Sequence, residues 1–209
     1  MFGKMRTFLR SMLYPVINVI NGFNGSNNKI LSPYVSYSAM RGTNITVMNG
    51  TFIDRFSQIN SYTYVGFNCF VTKANIGRYS SIANNISIGM GEHKLDRIST
   101  SSIFYAKPYD VLTEHECCIG NDCWIGVDSI IRRGVNIGDG AVIGANSFVN
   151  QDVPSFAIVA GSPARIIRYR YSPTQIKEIT NLHWWDYGFK EARERIDYLE
   201  SVIYFNRKH

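Results

Sequence analysis

The chain has 209 residues, which is enough for one domain with a sizeable core and a small appendage. Hydrophobic residues make up 45% of the sequence and charged residues 18%, proportions that exclude a disordered chain and a bundle of membrane-spanning helices. The net charge of +6 favours an anionic partner. Because no run of Lys and Arg residues stands out, nucleic acid is not an expected partner.

The first residues of the chain predict an amphipathic helix over 1–22. Apolar residues recur at helical spacing from Phe8 to Ile17, with Lys and Arg residues alongside them. The segment is too short and too charged to span a bilayer, and it lacks the long apolar stretch and cleavage site of a signal peptide. We expect this helix to pack on the body of the protein, with peripheral contact to the inner face of a membrane as the alternative.

The four cysteines predict neither a disulfide framework nor a zinc site. Cys117 and Cys118 are neighbours and cannot easily bridge each other, and no C-x-x-C spacing occurs. We therefore expect reduced thiols and a cytoplasmic protein.

A six-residue period predicts the fold. β-Branched aliphatic residues recur at this spacing, with one five-residue step and one long interruption: Val47, Ile53, Ile59, Val65, Val71, Ile76, Ile82, Ile88, Ile119, Ile125, Ile131, Ile137, Ile143 and Val149. The residue four places later is mostly small, and the residue directly after is often glycine. Such a pattern suits a narrow prism of short strands, in which glycine relieves crowding at the turns. An amphipathic helix is excluded, because a six-residue period keeps no fixed face at 3.6 residues per turn.

Two segments depart from the period. Residues 89–118 are too long for an ordinary turn, and long excursions from a rigid scaffold are often functional. Beyond Val159 helical signals begin, with Ser172 as N-cap, Pro173 in the first turn and Gln175 as capping-box partner.

The predicted organisation has three parts. An N-terminal helix over 1–22 precedes a β-helix domain over 30–170, which contains the excursion 89–118. A helical extension over 171–209 follows, with helices near 173–182 and 188–204.

Several stretches match a known family in order: IGRYSSIA (76–83), GEH (91–93), IGNDCWIG (119–126), VNIGDGAVIGANSFV (135–149), DVPSFAIVAGSPARIIR (152–168) and HWWD (183–186). On these motifs the chain resembles the hexapeptide-repeat acyltransferase family, and within it the xenobiotic acetyltransferase branch. The resemblance implies an all-β fold with a helical appendage, a left-handed parallel β-helix of hexapeptide repeats. It also implies a homotrimer that binds acetyl-CoA in the groove between neighbouring subunits. Residues 1–75 match the family only through their repeat pattern.

The resemblance implies that His93 is the catalytic base, because it opens the excursion where the family carries that residue. A neutral imidazole can remove a proton from an attacking hydroxyl. Glu92 is a candidate for orienting the ring. Of the other histidines, His115 is expected to be solvated and His209 to be solvated at the terminus. His183 is expected to pack in a Trp-rich turn or to form a hydrogen-bonding corner there.

The resemblance also implies a set of coenzyme contacts. Those lining the pantetheine groove are Trp124, Gly126, Gly144, Ala145 and Asn150, and those near the phosphates are Arg165 and Arg168. Alternatively, Trp124 shields the outer wall and the arginines are solvated residues that end the solenoid. The aromatic residues of the excursion, Phe104, Tyr105 and Tyr109, either line the acceptor site or pack the loop.

No metal is expected. Zinc carbonic anhydrases share the fold and need three histidine ligands on the prism faces, which fits an open catalytic zinc site. The periodic segments of this chain contain no histidine.

The leading functional hypothesis is an acetyl-CoA-dependent O-acetyltransferase that modifies a sugar hydroxyl in surface-polysaccharide or glycoconjugate biosynthesis. The alternatives are a chloramphenicol or streptogramin O-acetyltransferase, an amino-sugar N-acetyltransferase, and a non-catalytic β-helix that binds a partner. The last would predict loss of the loop histidine or the coenzyme positions, and both are present.

Overall fold

The computed structural model describes residues 25–205, with side chains described as far as Ile203. The helix expected over 1–22 and His209 lie outside these residues. Within the described chain, short parallel strands separated by tight turns form a β-solenoid of about seven coils.

The strands, in chain order, are β1 (Lys29–Ile30), β2 (Thr46–Val47), β3 (Phe52–Ile53), β4 (Gln58–Ile59), β5 (Tyr64–Val65), β6 (Phe70–Val71), β7 (Ala74–Ile76), β8 (Ser81–Ile82), β9 (Ser87–Ile88), β10 (Cys117–Ile119), β11 (Trp124–Ile125), β12 (Ile130–Ile131), β13 (Asn136–Ile137), β14 (Val142–Ile143), β15 (Phe148–Val149), β16 (Ala157–Gly161) and β17 (Ala164–Tyr169).

These strands stack into three sheets, which form the faces of a prism. Face A has the order β1-β2-β5-β8-β11-β14-β16-β17, face B the order β3-β6-β9-β12-β15, and face C the order β4-β7-β10-β13. All neighbouring strands pair in parallel except β16 and β17, which form an antiparallel hairpin at the end of face A. The chain turns successively at an A–B corner, a B–C corner and a C–A corner in each coil.

The interior of the prism follows from the six-residue period. All fourteen aliphatic residues of the predicted series are buried, none of them more than 3% exposed. The small residues four places later are buried as well, and they connect coils: the Thr51 hydroxyl donates to the Gly66 carbonyl at 2.7 Å and accepts from the Cys69 amide at 2.9 Å. The parallel β-helix predicted from the sequence is therefore confirmed.

The corners depend on two features of the backbone. Non-glycine residues with positive φ recur three places after an inward aliphatic residue: Tyr62, Asn68, Tyr79, Asn85, Asp122, Asp128, Asn146 and Phe156. Asn and Asp adopt this conformation more readily than most residues. Gly126 acts differently, because a Cβ there would lie 2.6 Å from the Ala145 nitrogen in the next coil. Glycine therefore relieves crowding between neighbouring coils, which approach each other closely at this position.

The excursion leaves the prism after β9 and returns at β10, which places it at a B–C corner. Cys117 and Cys118 belong to β10, so the irregular segment ends at residue 116, two residues earlier than predicted. It contains a 3₁₀ turn, Ser102–Phe104, and a short helix α1, Pro108–Leu112. A further 3₁₀ turn, Tyr37–Ala39, lies in the first coil.

The C-terminal part consists of α2 (Pro173–Leu182), a 3₁₀ turn (Trp184–Asp186) and α3 (Phe189–Phe205). The predicted capping box is present, since the Ser172 hydroxyl accepts from the Gln175 amide and the Gln175 side chain accepts from the Ser172 amide. Within the described part of the chain, no helix combines the length and apolar character needed to cross a membrane.

The C-terminal helices pack on the C–A corner through a second apolar cluster. The Trp184 ring lies 5.1 Å from that of Tyr79, and Tyr79 in turn stacks on Tyr62 at 4.5 Å. His183 ends α2 in a left-handed conformation with its side chain exposed, so the burial of this turn comes from Trp184 and Trp185.

Candidate active site

His93 lies at the start of the excursion with its side chain exposed to solvent. Its Nδ1 atom is 2.5 Å from the carbonyl oxygen of Thr100. Because a carbonyl oxygen can only accept a hydrogen bond, Nδ1 carries a proton, and the neutral ring keeps a free lone pair on Nε2. In the neutral imidazole this contact leaves Nε2 as the nitrogen that can accept a proton.

Glu92 does not orient the imidazole, contrary to the expectation from sequence. Its carboxylate forms a bidentate pair with Arg132, at 2.6 Å from Nε and 2.8 Å from Nη2. This pair raises the pKa of Arg132. Glu92 instead ties the base of the excursion to the next coil, and the backbone carbonyl of Thr100 takes the orienting role.

His93 borders a cavity of about 460 Å³ at the B–C corner. Most of its lining is polar or charged, contributed by the excursion and by the corners of the next two coils; it includes Lys94, Glu114, His115, Arg132, Arg133, Asn150 and Asp152. No Phe, Tyr or Trp of the described chain lines this cavity. His115, expected to be only solvated, is exposed and also borders the cavity.

The excursion is fixed at its base by contacts with the B–C corner. The Tyr109 hydroxyl donates to the carboxylate of buried Asp54. The Lys73 ammonium donates to the Thr113 carbonyl at 2.8 Å, and Arg133 Nη1 donates to the His115 carbonyl at 2.9 Å. Burial, together with the hydrogen bond to Asp54, raises the pKa of Tyr109 to about 12.

The aromatic residues of the excursion therefore do not line the cavity. Tyr109 anchors the loop, Tyr105 is buried within it, and the Phe104 side chain is 66% exposed. Of the two alternatives left open by the sequence, loop packing describes Tyr105 and Tyr109.

The proposed coenzyme residues divide into two groups. The first group lies on face A or at its A–B corner. It comprises Trp124 on β11, Gly126 in the turn after β11, Gly144 and Ala145 in the turn after β14, and Arg165 and Arg168 on β17. Along face A, Trp124 pairs with Val142, Val142 with Ile158, and Ile158 with Arg168. At the usual strand spacing these three steps span about 14 Å. Within one chain this group is separated from His93 by the width of face B.

Asn150 is the exception, because it lines the same cavity as His93 at the B–C corner. Its Oδ1 atom is buried and accepts no hydrogen bond within the described chain. An unpaired buried amide oxygen is costly unless a ligand or water supplies a donor.

The local contacts explain the other positions in different ways. A Cβ at Gly144 would lie 2.8 Å from the Ala160 Cβ, so coil stacking requires this glycine, as it requires Gly126. The Trp124 side chain is 58% exposed. The guanidinium groups of Arg165 and Arg168 donate only to adjacent backbone carbonyls, and neither forms an ion pair within residues 25–203.

No group of three or more His, Cys, Asp or Glu side chains is arranged to hold a metal ion within the described residues. All four cysteines are unpaired, and only Cys118 is exposed.

Comparison with known proteins supports the fold and the family. A family model described as "Hexapeptide repeat of succinyl-transferase" matches residues 118–151. A chloramphenicol acetyltransferase from Morganella morganii is 36% identical over 146 residues, which cover 65% of this chain and 70% of that enzyme. The galactoside O-acetyltransferase of Escherichia coli K12 is 34% identical over 109 residues, which cover half of each chain.

The fold also recurs in a solved structure. The acetyltransferase domain of PglB from Neisseria gonorrhoeae, in complex with acetyl coenzyme A, matches with a TM-score of 0.53 at 18% identity, covering 74% of this chain and 67% of that one. The parallel coils and these relatives define an acyltransferase of the hexapeptide-repeat class. The chain belongs to the hexapeptide-repeat acetyltransferase family, as its resemblance to the xenobiotic branch implied.

Proposed function

We propose that this enzyme transfers an acetyl group from acetyl-CoA to a hydroxyl of a sugar. The observation that carries the proposal is the polar cavity that His93 borders. Its lining is rich in charged and amide groups, and the contact of His93 Nδ1 with the Thr100 carbonyl leaves Nε2 free to accept a proton. Sugars offer many hydroxyls to such groups, whereas flat apolar ligands favour aromatic linings. The galactoside O-acetyltransferase among the relatives agrees with this acceptor class.

His93 supplies the proton chemistry of the reaction. Its Nε2 removes the proton from the acceptor hydroxyl as that oxygen attacks the thioester carbonyl, and the same proton then passes to the leaving thiol. The Thr100 carbonyl accepts from Nδ1 throughout, which stabilises the imidazolium that forms. We infer direct transfer rather than an acyl-enzyme. Cys118 is the exposed cysteine. Partial desolvation of its thiol, together with the negative charges of Glu116 and Asp152, raises its pKa and so disfavours a nucleophilic thiolate.

Face A suits the coenzyme. Its phosphates would lie near Arg165 and Arg168, whose charges have no carboxylate partner among the described ion pairs. Guanidinium groups match phosphate oxygens in both charge and geometry. The pantetheine arm would then run beside Trp124 and Ala145, toward the A–B corner.

Within one prism, His93 at the B–C corner is far from the proposed coenzyme residues on face A. A homotrimer would bring His93 of one subunit close to face A of its neighbour. The outward residues agree with faces A and B as contact surfaces. Tyr64 and Trp124 project from face A, and Phe52, Phe70 and Ile130 from face B, each at least 38% exposed. Face C instead presents Gln58, Asn75, Cys118 and Asn136. Large exposed apolar patches mark association surfaces.

A second candidate is acetylation of an antibiotic hydroxyl, since a chloramphenicol acetyltransferase is similar to this chain over most of its length. We favour the sugar because of the polar cavity. The reduced cysteines suit work in the cytoplasm, and a role in surface-polysaccharide or glycoconjugate assembly follows if the acceptor is a glycan.

The direct test is thiol release from acetyl-CoA across a panel of glycosides, amino sugars, chloramphenicol and a streptogramin. We expect a sugar to have the highest kcat/KM, with the product carrying an O-acetyl ester by NMR. Preferred turnover of an antibiotic would establish the second candidate instead. An amide product would show N-acetylation, and thiol release with none of the acceptors would contradict the proposal.

A further inference from the structure

Tyr105 is a buried polar residue that neither the cavity nor the prism uses. We define the excursion tip as residues 94–105; within it Tyr105 is only 5% exposed, whereas Leu95, Ile98 and Ile103 are each at least 80% exposed. The Tyr105 ring therefore forms the centre of the tip. The Arg97 guanidinium lies 5.4 Å above its ring.

The Tyr105 hydroxyl contacts both sides of the loop that holds His93. It accepts a hydrogen bond from the backbone amide of Lys94, the residue after His93, at 3.0 Å. It also lies 3.5 Å from the Thr100 carbonyl, toward which its proton is directed because the Lys94 amide already donates to the oxygen. That carbonyl is the acceptor for His93 Nδ1. The Tyr105 and His93 ring centroids are 6.4 Å apart.

We propose that Tyr105 is a positioning residue that keeps His93 in its Nδ1–H tautomer. A neutral imidazole has two tautomers, and the hydrogen bond at one nitrogen decides which of them forms. The Tyr105 hydroxyl connects the peptide after His93 to the carbonyl that fixes the tautomer, so it holds donor and acceptor in register. Without it, the exposed segment between them can rotate the Thr100 carbonyl away. The lone pair then moves from Nε2 to Nδ1, where it cannot reach an acceptor hydroxyl.

The test is Tyr105→Phe, which keeps the buried ring and removes only the hydroxyl. Long-range ¹H–¹⁵N NMR of histidine-labelled protein reports the tautomer directly, with His93 assigned by its loss in His93→Gln. We expect the wild type to show the Nδ1–H form and Tyr105→Phe to show a mixture with the Nε2–H form. This effect on the base also lowers kcat by about tenfold, the consequence of losing one hydrogen bond, while KM for acetyl-CoA stays unchanged.

Tyr109→Phe is the matched control. It removes a hydroxyl from the same excursion, but one bonded to Asp54 at the base of the loop. We expect it to leave the His93 tautomer unchanged. If Tyr105→Phe fails to fold, 4-fluorophenylalanine in place of Tyr105 fills the hydroxyl volume without donating a proton, and the same spectra decide.

The positioning role of Tyr105 rests on the proposed function only for the change in kcat. Different measurements would contradict the positioning role and the proposed function. An unchanged Nδ1–H tautomer in Tyr105→Phe overturns the positioning role, whatever happens to the rate. An Nε2–H tautomer in the wild type does the same. A tautomer shift in an enzyme that releases no thiol with any acceptor supports the positioning role and contradicts the proposed function.

Discussion

At the residue scale, the chemistry that we propose for His93 depends on one backbone oxygen. The Thr100 carbonyl receives the Nδ1 proton of His93 and so leaves Nε2 able to accept a proton. The neighbouring carboxylate of Glu92 is engaged by Arg132 and does not compete for the ring. His93 thus combines solvent exposure with a defined tautomer, which an unrestrained surface histidine does not have.

We expect His93→Ala to lower kcat by about 10²–10⁴, the usual contribution of a positioned general base. Acetyl-CoA affinity should change little, because other residues, on face A, supply the proposed contacts with the coenzyme. The melting temperature should also be preserved, since the side chain is exposed and outside the core. Steady-state kinetics and calorimetry check these points. His115→Ala, in the same cavity, is the control, and a folded His93→Ala enzyme within a few-fold of wild-type turnover would contradict the assignment.

Gly126 illustrates how one position can be required for the fold whatever it does for a ligand. A Cβ at this residue meets the Ala145 nitrogen at 2.6 Å and the Ile143 carbonyl at 2.8 Å, both of them backbone atoms that cannot rotate away. We expect Gly126→Ala to reduce the free energy of unfolding by about 1–3 kcal/mol, the range for overpacking. Chemical denaturation of the ligand-free protein measures it. Val127→Ala, at the neighbouring exposed position, should change stability far less, and an equal loss in both variants would contradict this account.

Some residue roles could be predicted and others could not. The six-residue series could be recognised because every inward residue meets the same steric requirement, which recurs at fixed spacing. The role of Thr100 could not, because any residue type supplies a carbonyl oxygen. The positive φ at Asn68, Asp122 and similar corners has its own sequence signal, which is Asn or Asp three places after an aliphatic residue and is separate from the glycine pattern.

At the element scale, the excursion is anchored at its base and exposed at its tip. The base contacts join residues far apart in sequence, as between Asp54 and Tyr109, so neither side chain alone reveals the pair. The capping box of α2 lies within four consecutive residues, and for that reason the sequence was enough to predict it. Contacts between residues close in sequence could therefore be predicted, whereas contacts between residues far apart in sequence could not.

The Tyr109 anchor makes loop attachment sensitive to alkaline pH. Its pKa is raised to about 12 by burial and by donation to Asp54, so the folded state retains the phenol proton more strongly than the unfolded state. The anchor's contribution to stability is therefore complete below pH 10 and is lost as the pH rises through about 12. Spectrophotometric titration should show one tyrosine ionising near that pH. Tyr109→Phe should remove this step, and its persistence in the variant would contradict the assignment.

The hairpin of β16 and β17 presents Arg165 and Arg168 to the coenzyme in our proposal. We expect the double substitution Arg165→Ala and Arg168→Ala to weaken acetyl-CoA more than acetyl-pantetheine, which lacks the nucleotide phosphates. Binding of both ligands by calorimetry gives the comparison, and the difference should shrink at high salt. Equal weakening of the two ligands would exclude both residues from the phosphate site.

At the scale of the whole molecule, the outward residues of face C are polar or small, whereas large apolar side chains project from faces A and B. We expect a homotrimer that buries residues of faces A and B and leaves face C in solvent. Sedimentation at micromolar concentration should show a species of three chains, and Trp124→Asp should dissociate it or slow its assembly. Gln58→Asp, which also places a charge on the outside of a prism face, but on face C, is the control. A stable wild-type monomer would exclude the trimer.

The antiparallel hairpin that ends face A also limits growth of the molecule. A stack of parallel coils offers its last strand as a template for another chain, and repeated addition would produce a fibre. Here that edge is β17, whose direction is reversed and whose register is interrupted between Ile158 and Val159. An incoming coil that continued the stack would have to pair antiparallel to β17 and would meet the charges of Arg165 and Arg168. The strand that we assign to coenzyme binding thereby also protects this end of the molecule against polymerisation.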